Sequence, residues 1–477
     1  MSTLNKTGPL WTSIDAMIAT KGQPTRDWTA TGISIDSRSV KPGDLFVAIQ
    51  GPNFDGHAFA ADALAKGAAA AVVARRPENA PADASLLLVA DPLQALGDLA
   101  AAARARSKAR IVAVTGSVGK TSTKEALKLV LSAQGPAHAS EGSLNNHWGV
   151  PLSLSRLPQD ARFGVFELGM NHAGELTPLS QLVRPHVAIV TTIEAVHLEF
   201  FDSVDDIAAA KAEIFAGLEP GGVAVLNADN AYFSYLTRQA LARGADVVGF
   251  GSAQGAWARL LSYEPTETGG RIEAEIGGKR VAFAIGAPGR HWALNSLAVL
   301  AAAVHLGADL EQAAASLGGM SAPKGRGARH TVALADGTFT LIDESYNASP
   351  AAMRAAFAVL KANTVGNGGR RIAVLGDMLE LGADSAAIHA DLADDVAAAA
   401  DLVCTAGRDM GALDEALPRD KRAGHAAKAE ELLPLVRQLV RPGDAVMVKG
   451  SHGSRMGLIV DELLAGSSPN KSAANGH

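Results

Sequence analysis

The 477-residue chain holds a single cysteine, Cys404, which excludes an intramolecular disulfide framework and a cysteine-rich zinc site. It has no surplus of positive charge either. Asp plus Glu number 49 against 43 Lys plus Arg, a formal net charge of −6. Proteins that coat nucleic acid draw affinity from clustered positive charge, so nucleic acid is not an expected partner. A few placed lysines, arginines and backbone amides still suffice for an anionic small molecule. Long hydrophobic runs are also missing. The most apolar later stretch, Leu297–Val304, is eight residues long, against about 20 for a membrane span. The first twenty residues lack a basic head followed by an apolar stretch. No export signal or membrane span is therefore expected, and the cytoplasm is the expected location.

Hydrophobic residues make up 48% of the chain, ample for several cores. At about 150 residues per domain the length suggests three domains. All three read as α/β. The first, 1–107, has strand-like runs at 33–35, 45–49, 69–73 and 86–89, with helical patterns at 57–66 and 92–107. The second, 108–321, opens on the apolar strand Ile111–Val114 and continues with strands at 165–166, 187–190 and 223–226 alternating with helices. That alternation predicts a parallel sheet covered on both faces, a central P-loop ATPase-type domain. The third, 322–466, repeats strand and helix in a Rossmann-like manner, with strands at 339–342, 372–375, 402–405 and 445–448. The polar tail 467–477 is expected to be disordered.

Between the strand at 111–114 and the helix carrying Ala126, Leu127, Val130 and Leu131 lies Thr115-Gly116-Ser117-Val118-Gly119-Lys120-Thr121-Ser122. Glycines let backbone N–H groups approach phosphate oxygens, and the helix N-terminus adds partial positive charge. Lys120 can neutralise the terminal phosphates, and the Thr121 hydroxyl can ligate Mg²⁺. The spacing is the tight G-x-x-G-K-T, with Val114 where the usual pattern has its first glycine.

Three further residues belong to the same sheet. Glu167 follows the strand at 165–166, and strand carboxyl ends line the ligand crevice of an open parallel sheet; a carboxylate there suits Mg²⁺. His197 lies just past the strand at 187–192. Lys211 is a single lysine in an apolar or small helix, 207–215, where desolvation would depress its pKa and allow reaction with CO₂. Taken alone, each has a plainer reading: a solvated loop carboxylate, a structural imidazole, a lysine whose stem lies along apolar surface.

The order and spacing of many short motifs resemble the Mur ligase family. They include Asp36-Ser37-Arg38, Asp55-Gly56-His57, Thr115–Glu125, Asn145-Asn146 with Gly149-Val150-Pro151, Glu167–His172 and His197-Leu198-Glu199. Others are Ala210–Phe215, Gly289–Asn295, Gly325-Arg326-Gly327, Asp343–Pro350, Leu375–Gly382 and Lys449-Gly450-Ser451. The resemblance covers nearly the whole chain. It implies a ligase that uses ATP and Mg²⁺ to join D-alanyl-D-alanine to UDP-N-acetylmuramoyl-tripeptide through an acyl phosphate, acting as a monomer. It implies that Gly116, Ser117, Gly119, Lys120, Thr121 and Ser122 hold ATP phosphates, with Thr121 and Glu167 on a first metal. His197 and a carbamylated Lys211 would hold a second. Lys120, Glu167, His197 and Lys211 would form the catalytic group. Asn295 and Arg326 would contact ATP, and Asp343, Tyr346 and Asn347 its adenosine half. Ser37 and Asn53 would receive the uridine, and Asn145 and Asn146 the muramoyl-peptide. Ser349, Phe200-Phe201 and His147-Trp148 depart from the family pattern. A small-molecule kinase with the same phosphate loop is the rival of another class, and it would release no free phosphate.

Overall fold

The computed structural model describes residues 8–51, 54–196, 198–266 and 268–466. Its three large sheets lie within 23–88, 110–285 and 328–449. In the first, Gly32–Ser34, Asp44–Val47, Ala70–Val73 and Leu86–Leu88 run parallel, and Gln23–Pro24 adds an antiparallel edge. The helix Pro92–Arg106 follows. Asp91 caps it by accepting from the N–H groups of Leu93 and Gln94, and proline occupies its first turn. One stretch of this helix, Leu96 and Leu99, packs into the first core, while Ala100 packs into the central one. Near its end the buried Arg104 donates from Nε to the Val183 carbonyl at 2.7 Å and from Nη2 to the Arg184 carbonyl at 2.7 Å. This helix and arginine help dock the first two domains, together with Trp11, which donates to the Ser155 carbonyl at 3.0 Å, and Arg156, which donates to the Ile33 carbonyl at 2.7 Å.

The central sheet has nine strands. Arg110–Thr115 sits between Phe163–Glu167 on one side and Val187–Val190 on the other, all parallel. The chain therefore leaves Arg110–Thr115, runs to the outer edge at Ala137–Ala139, returns to one side and then crosses to the other. The crevice opens at such a reversal of strand order, outside the strand carboxyl ends. This places the turn after Thr115, the residues after Glu167 and those after Val190 around one opening. The apolar run at 297–304 lies in the helix Arg290–His305, whose residues Leu297–Ala303 are fully buried against the sheet.

The expected all-parallel character fails at one end. Gly270–Ile276 pairs antiparallel with Ala258–Pro265 on one side and with Lys279–Ile285 on the other. The residues alternate: Arg271 and Glu273 are exposed while Ile272, Ala274 and Ile276 are buried. Gly277 and Gly278 form the two-residue turn with φ of 55° and 82°, as the twist of a tight hairpin demands.

The third sheet has six strands, in the order 328–334, 337–344, 445–449, 371–376, 402–406 and 422–426. Only the first pair is antiparallel. The four apolar strands are those expected. Ala328–Leu334 and Arg422–Ala426 are edge strands, polar and half-exposed, so no apolar run announces them. Cys404 is buried in Leu402–Ala406, where desolvation pushes its thiol up to about 12 and keeps it unreactive. No helix among the described residues is long and apolar enough to cross a membrane.

Candidate active site

The phosphate loop is held by its own backbone and by the segment after the strand Val187–Val190. Gly116 has φ 142° and packs so closely on Thr191 that a Cβ would strike its hydroxyl. Ser117 N–H donates to the Thr192 carbonyl at 2.9 Å, and Ser117 Oγ accepts from Glu194 N–H at 2.9 Å. Gly119, φ 88°, approaches Asn295 to a distance that a Cβ would reduce to 2.9 Å. The helix Lys120–Ser132 begins with no side-chain cap. Its first-turn N–H groups are therefore open to a ligand, where the helix dipole favours anions.

Lys120 Nζ donates to the Gly116 carbonyl at 2.7 Å. Burial pushes its pKa down, the Glu167 carboxylate opposes that shift, and Arg326 adds to it. Glu167 ends the strand Phe163–Glu167 and is 1% exposed. Its Oε1 accepts from Asn145 Nδ2 at 2.8 Å. Its Oε2 is buried with no hydrogen-bond partner among the described residues. A buried carboxylate oxygen without a donor is costly unless a cation or donor joins it. With Thr121 of the phosphate-loop helix lining the same cavity, this oxygen fits a hard divalent ion. Among the described residues no three His, Cys, Asp or Glu side chains cluster to hold a metal.

The third domain closes the opposite wall. Arg326 Cζ lies 4.3 Å from the centre of the Tyr346 ring, and His452 stacks on Tyr346 at 5.5 Å and 17°. Tyr346 also hydrogen-bonds Ser143 of the central domain through its hydroxyl. Lys449, 2% exposed, donates to the Asn347 carbonyl at 3.0 Å and pairs with Glu344 at 3.3 Å. The result is a cavity of about 600 Å³ between the two domains.

Of the residues singled out in the sequence, Ser117, Gly119, Lys120, Thr121, Ser122, Asn145, Glu167, Asn295, Arg326, Tyr346 and Asn347 line this cavity. Gly116, Ser37, Asn146, Lys211 and Asp343 do not. Asp343 was expected to touch ATP; instead it is fully buried and spent on its own chain. Its carboxylate accepts from Gly325 N–H at 2.8 Å, Ser345 N–H at 3.1 Å and Ser345 Oγ at 2.6 Å, so it shapes the Gly325–Gly327 turn that carries Arg326. Asn146 accepts from Trp148 and Gly149 N–H groups at 3.2 and 2.9 Å, so its side chain is taken up by the turn that enters the next helix. Ser37 accepts Lys66 Nζ on its carbonyl at 2.9 Å. Lys211 is 2% exposed in the helix Val204–Ala212, and its side chain forms no hydrogen bond or ion pair among the described residues. Burial, then the charge of Lys120, pushes its pKa well below the ordinary lysine value. His197 and Asn53 lie outside the described residues. Ser349, a departure from the family pattern, caps the helix Pro350–Ala362 by accepting from Ala352 N–H; serine serves there as well as asparagine would.

Lys449, His452, Ser143 and Thr191 also line the site, and sequence reasoning assigns none of them a role. Lys449 ends an apolar strand, as Glu167 does, and the same strand-end rule marks it.

A phosphate loop, a cation-seeking buried carboxylate and a second domain folded over them define an enzyme that transfers phosphoryl groups from a nucleotide. Comparison with known proteins narrows the class. Residues 114–303 match the Mur ligase middle domain, 328–452 the glutamate ligase domain of Mur ligases, and 29–104 the Mur ligase family catalytic domain. A curated relative, the UDP-N-acetylmuramoyl-tripeptide–D-alanyl-D-alanine ligase of Rickettsia prowazekii, is 35% identical over 95% of this chain and 99% of its own. The crystal structure of MurF from Acinetobacter baumannii is 31% identical, covering 96% of this chain and 99% of that one, with a TM-score of 0.82. MurF ligase from Thermotoga maritima, solved in complex with ADP, is 26% identical over 91% of this chain and 97% of its own, with a TM-score of 0.75. The chain belongs to the Mur ligase family. It is an ATP-dependent ligase.

Proposed function

We propose that this ligase joins the amino group of D-alanyl-D-alanine to the terminal carboxylate of UDP-N-acetylmuramoyl-tripeptide, giving the pentapeptide precursor of peptidoglycan with ADP and phosphate. The observation that carries this reading is the cavity in which the phosphate loop, Glu167 and the Arg326–Tyr346 wall meet, in a chain that matches a ligase of that activity over 95% of its length.

A carboxylate is a poor electrophile, so the γ-phosphoryl group must be transferred first. The bond from the γ-phosphorus to the β-γ bridging oxygen breaks, a bond to the carboxylate oxygen forms, and ADP leaves. The amine then attacks the acyl carbon and loses a proton, and phosphate departs with the electrons of the carbon–oxygen bond. The obstacle to the first step is the meeting of a carboxylate with a triphosphate. Lys120 and the open N–H groups of the helix Lys120–Ser132 oppose that repulsion where charge shifts during transfer. Glu167 and the Thr121 hydroxyl would hold Mg²⁺, which supplies further neutralisation. Gly116, Ser117, Gly119 and Ser122 shape the phosphate cradle, Asn295 and Arg326 hold the nucleotide, and Tyr346 and Asn347 take its adenosine half, with Asp343 setting the turn beneath. Ser37 and Asn53 receive the uridine; Asn145 and Asn146 face the muramoyl-peptide.

Lys211 is the group for carbamylation. An unpartnered ammonium inside the helix Val204–Ala212 is unfavourable, and a neutral amine can add to CO₂, losing a proton and leaving an anion. That anion, with His197, would serve a second cation, and it would answer the positive charge of Lys120. One chain supplies every wall of the cavity, which supports a monomer, working in the cytoplasm where ATP is made.

Phosphate release from ATP and Mg²⁺ is expected only when both UDP-N-acetylmuramoyl-tripeptide and D-alanyl-D-alanine are present, with the pentapeptide seen by mass. A phosphorylated product with no free phosphate would favour a kinase; no turnover with either substrate would overturn the assignment.

A further inference from the structure

The least expected charged group in the molecule is Lys124. It lies four residues after Lys120 on the same helix and is 0% exposed. Its Nζ donates to the carbonyls of Ser140 and Gly142, both at 2.9 Å, and pairs with Glu125 at 2.5 Å. A buried ammonium is retained only when fully partnered, and an apolar side chain of similar length would serve packing better. Both carbonyls belong to the segment 140–148, which is neither helix nor strand. That segment carries Ser143, bound to Tyr346 of the third domain, and Asn145, whose side chain holds Glu167 and whose carbonyl accepts from Gly169 N–H at 2.7 Å. Residues four apart lie on one helix face. One rigid rod therefore places Lys120 at the phosphates and Lys124 beneath the segment that faces the other substrate.

We propose that Lys124 is a positioning residue that fixes the 140–146 segment to the phosphate-loop helix, setting the register between the ATP and muramoyl-peptide sites. The identity of the second ligand rests on the functional reading above; the fixing of the segment does not.

The test is the full-length Lys124→Met variant, compared with wild type by hydrogen exchange and by calorimetric titration with ATP and with UDP-N-acetylmuramoyl-tripeptide. Amide exchange at 142–146 is expected to quicken by about tenfold or more while 117–121 changes less than about twofold. Tripeptide affinity is expected to fall about tenfold with ATP affinity held within about threefold. Unchanged exchange at 142–146, or equal loss of both ligands, would overturn the proposal. If the methionine variant does not fold, Lys124→Gln, which keeps an uncharged N–H donor group, is expected to show the same split at about threefold, and its failure to do so counts equally against. A wild-type chain that binds ATP but no tripeptide would contradict the functional reading alone, and the exchange result would still decide the role of Lys124.

Discussion

Lys120→Ala is expected to lower single-turnover phosphate release by about 10³-fold or more, equivalent to about 4 kcal/mol of transition-state stabilisation. The reason is local. Lys120 is the cation that emerges where the strand Arg110–Thr115 gives way to its helix, and it faces the Glu167 carboxylate across the cavity. Charge moves from the γ-phosphoryl group to the bridging oxygen during transfer, and a fixed cation there favours the transition state more than the ground state. The fold does not depend on this ammonium. Its one close bond is to the Gly116 carbonyl within the same loop, so the thermal midpoint is expected to stay within about 2 °C. A variant that releases phosphate within about tenfold of wild type would remove Lys120 from the chemistry.

Lys211 has the second large expected effect, and here activity and stability move in opposite directions. Lys211→Met is expected to cut kcat/KM by about 10²-fold or more, since the proposed carbamate cannot form. The same substitution is expected to raise the midpoint of unfolding by about 2 °C or more, because a buried amine without a partner is replaced by an apolar chain. The gain depends on pH in a fixed direction. The folded pKa is depressed below the ordinary 10.5, so unfolding takes up a proton. The penalty on the wild type is absent above that value and grows as pH falls below it. The advantage of Lys211→Met, measured without bicarbonate, therefore increases from about pH 10 toward neutrality. Partial rescue of Lys211→Ala by short carboxylic acids, and a ¹³C carbamate signal from wild type in labelled bicarbonate, would support the anion. Full activity in Lys211→Met would refute it.

Much of this site was legible because strand, tight glycine loop and helix are contiguous. Lys120, Thr121 and Glu167 each sit within a few residues of an apolar strand, and the strand-end rule points at them directly. What the chain brings from afar was not legible from residue type. Arg326 and Tyr346 reach the cavity across more than 150 residues, and their stacking with His452 depends on how the third sheet is docked. Asp343 is acidic and lies in the right motif, yet its carboxylate is saturated by backbone and hydroxyl donors two to eighteen residues away; a motif states that such a residue matters without stating whom it holds. Asn146 is similar, its side chain occupied by the Trp148 and Gly149 N–H groups. The antiparallel hairpin at 270–285 was hidden by its neighbours, since a reading tuned to apolar parallel strands passes over alternating ones. The polar edge strands of the third sheet were missed for the same reason.

In the proposed reaction the tripeptide carboxylate, and no other oxygen, takes the γ-phosphoryl group. This is tested most directly by labelling both oxygens of the terminal carboxylate of UDP-N-acetylmuramoyl-tripeptide with ¹⁸O and following the label during turnover with ATP and D-alanyl-D-alanine. One labelled oxygen is expected in phosphate for each pentapeptide formed, the other remaining in the new amide. Unlabelled phosphate alongside pentapeptide would mean that the carboxylate is not the phosphoryl acceptor, and the acyl-phosphate mechanism would fall.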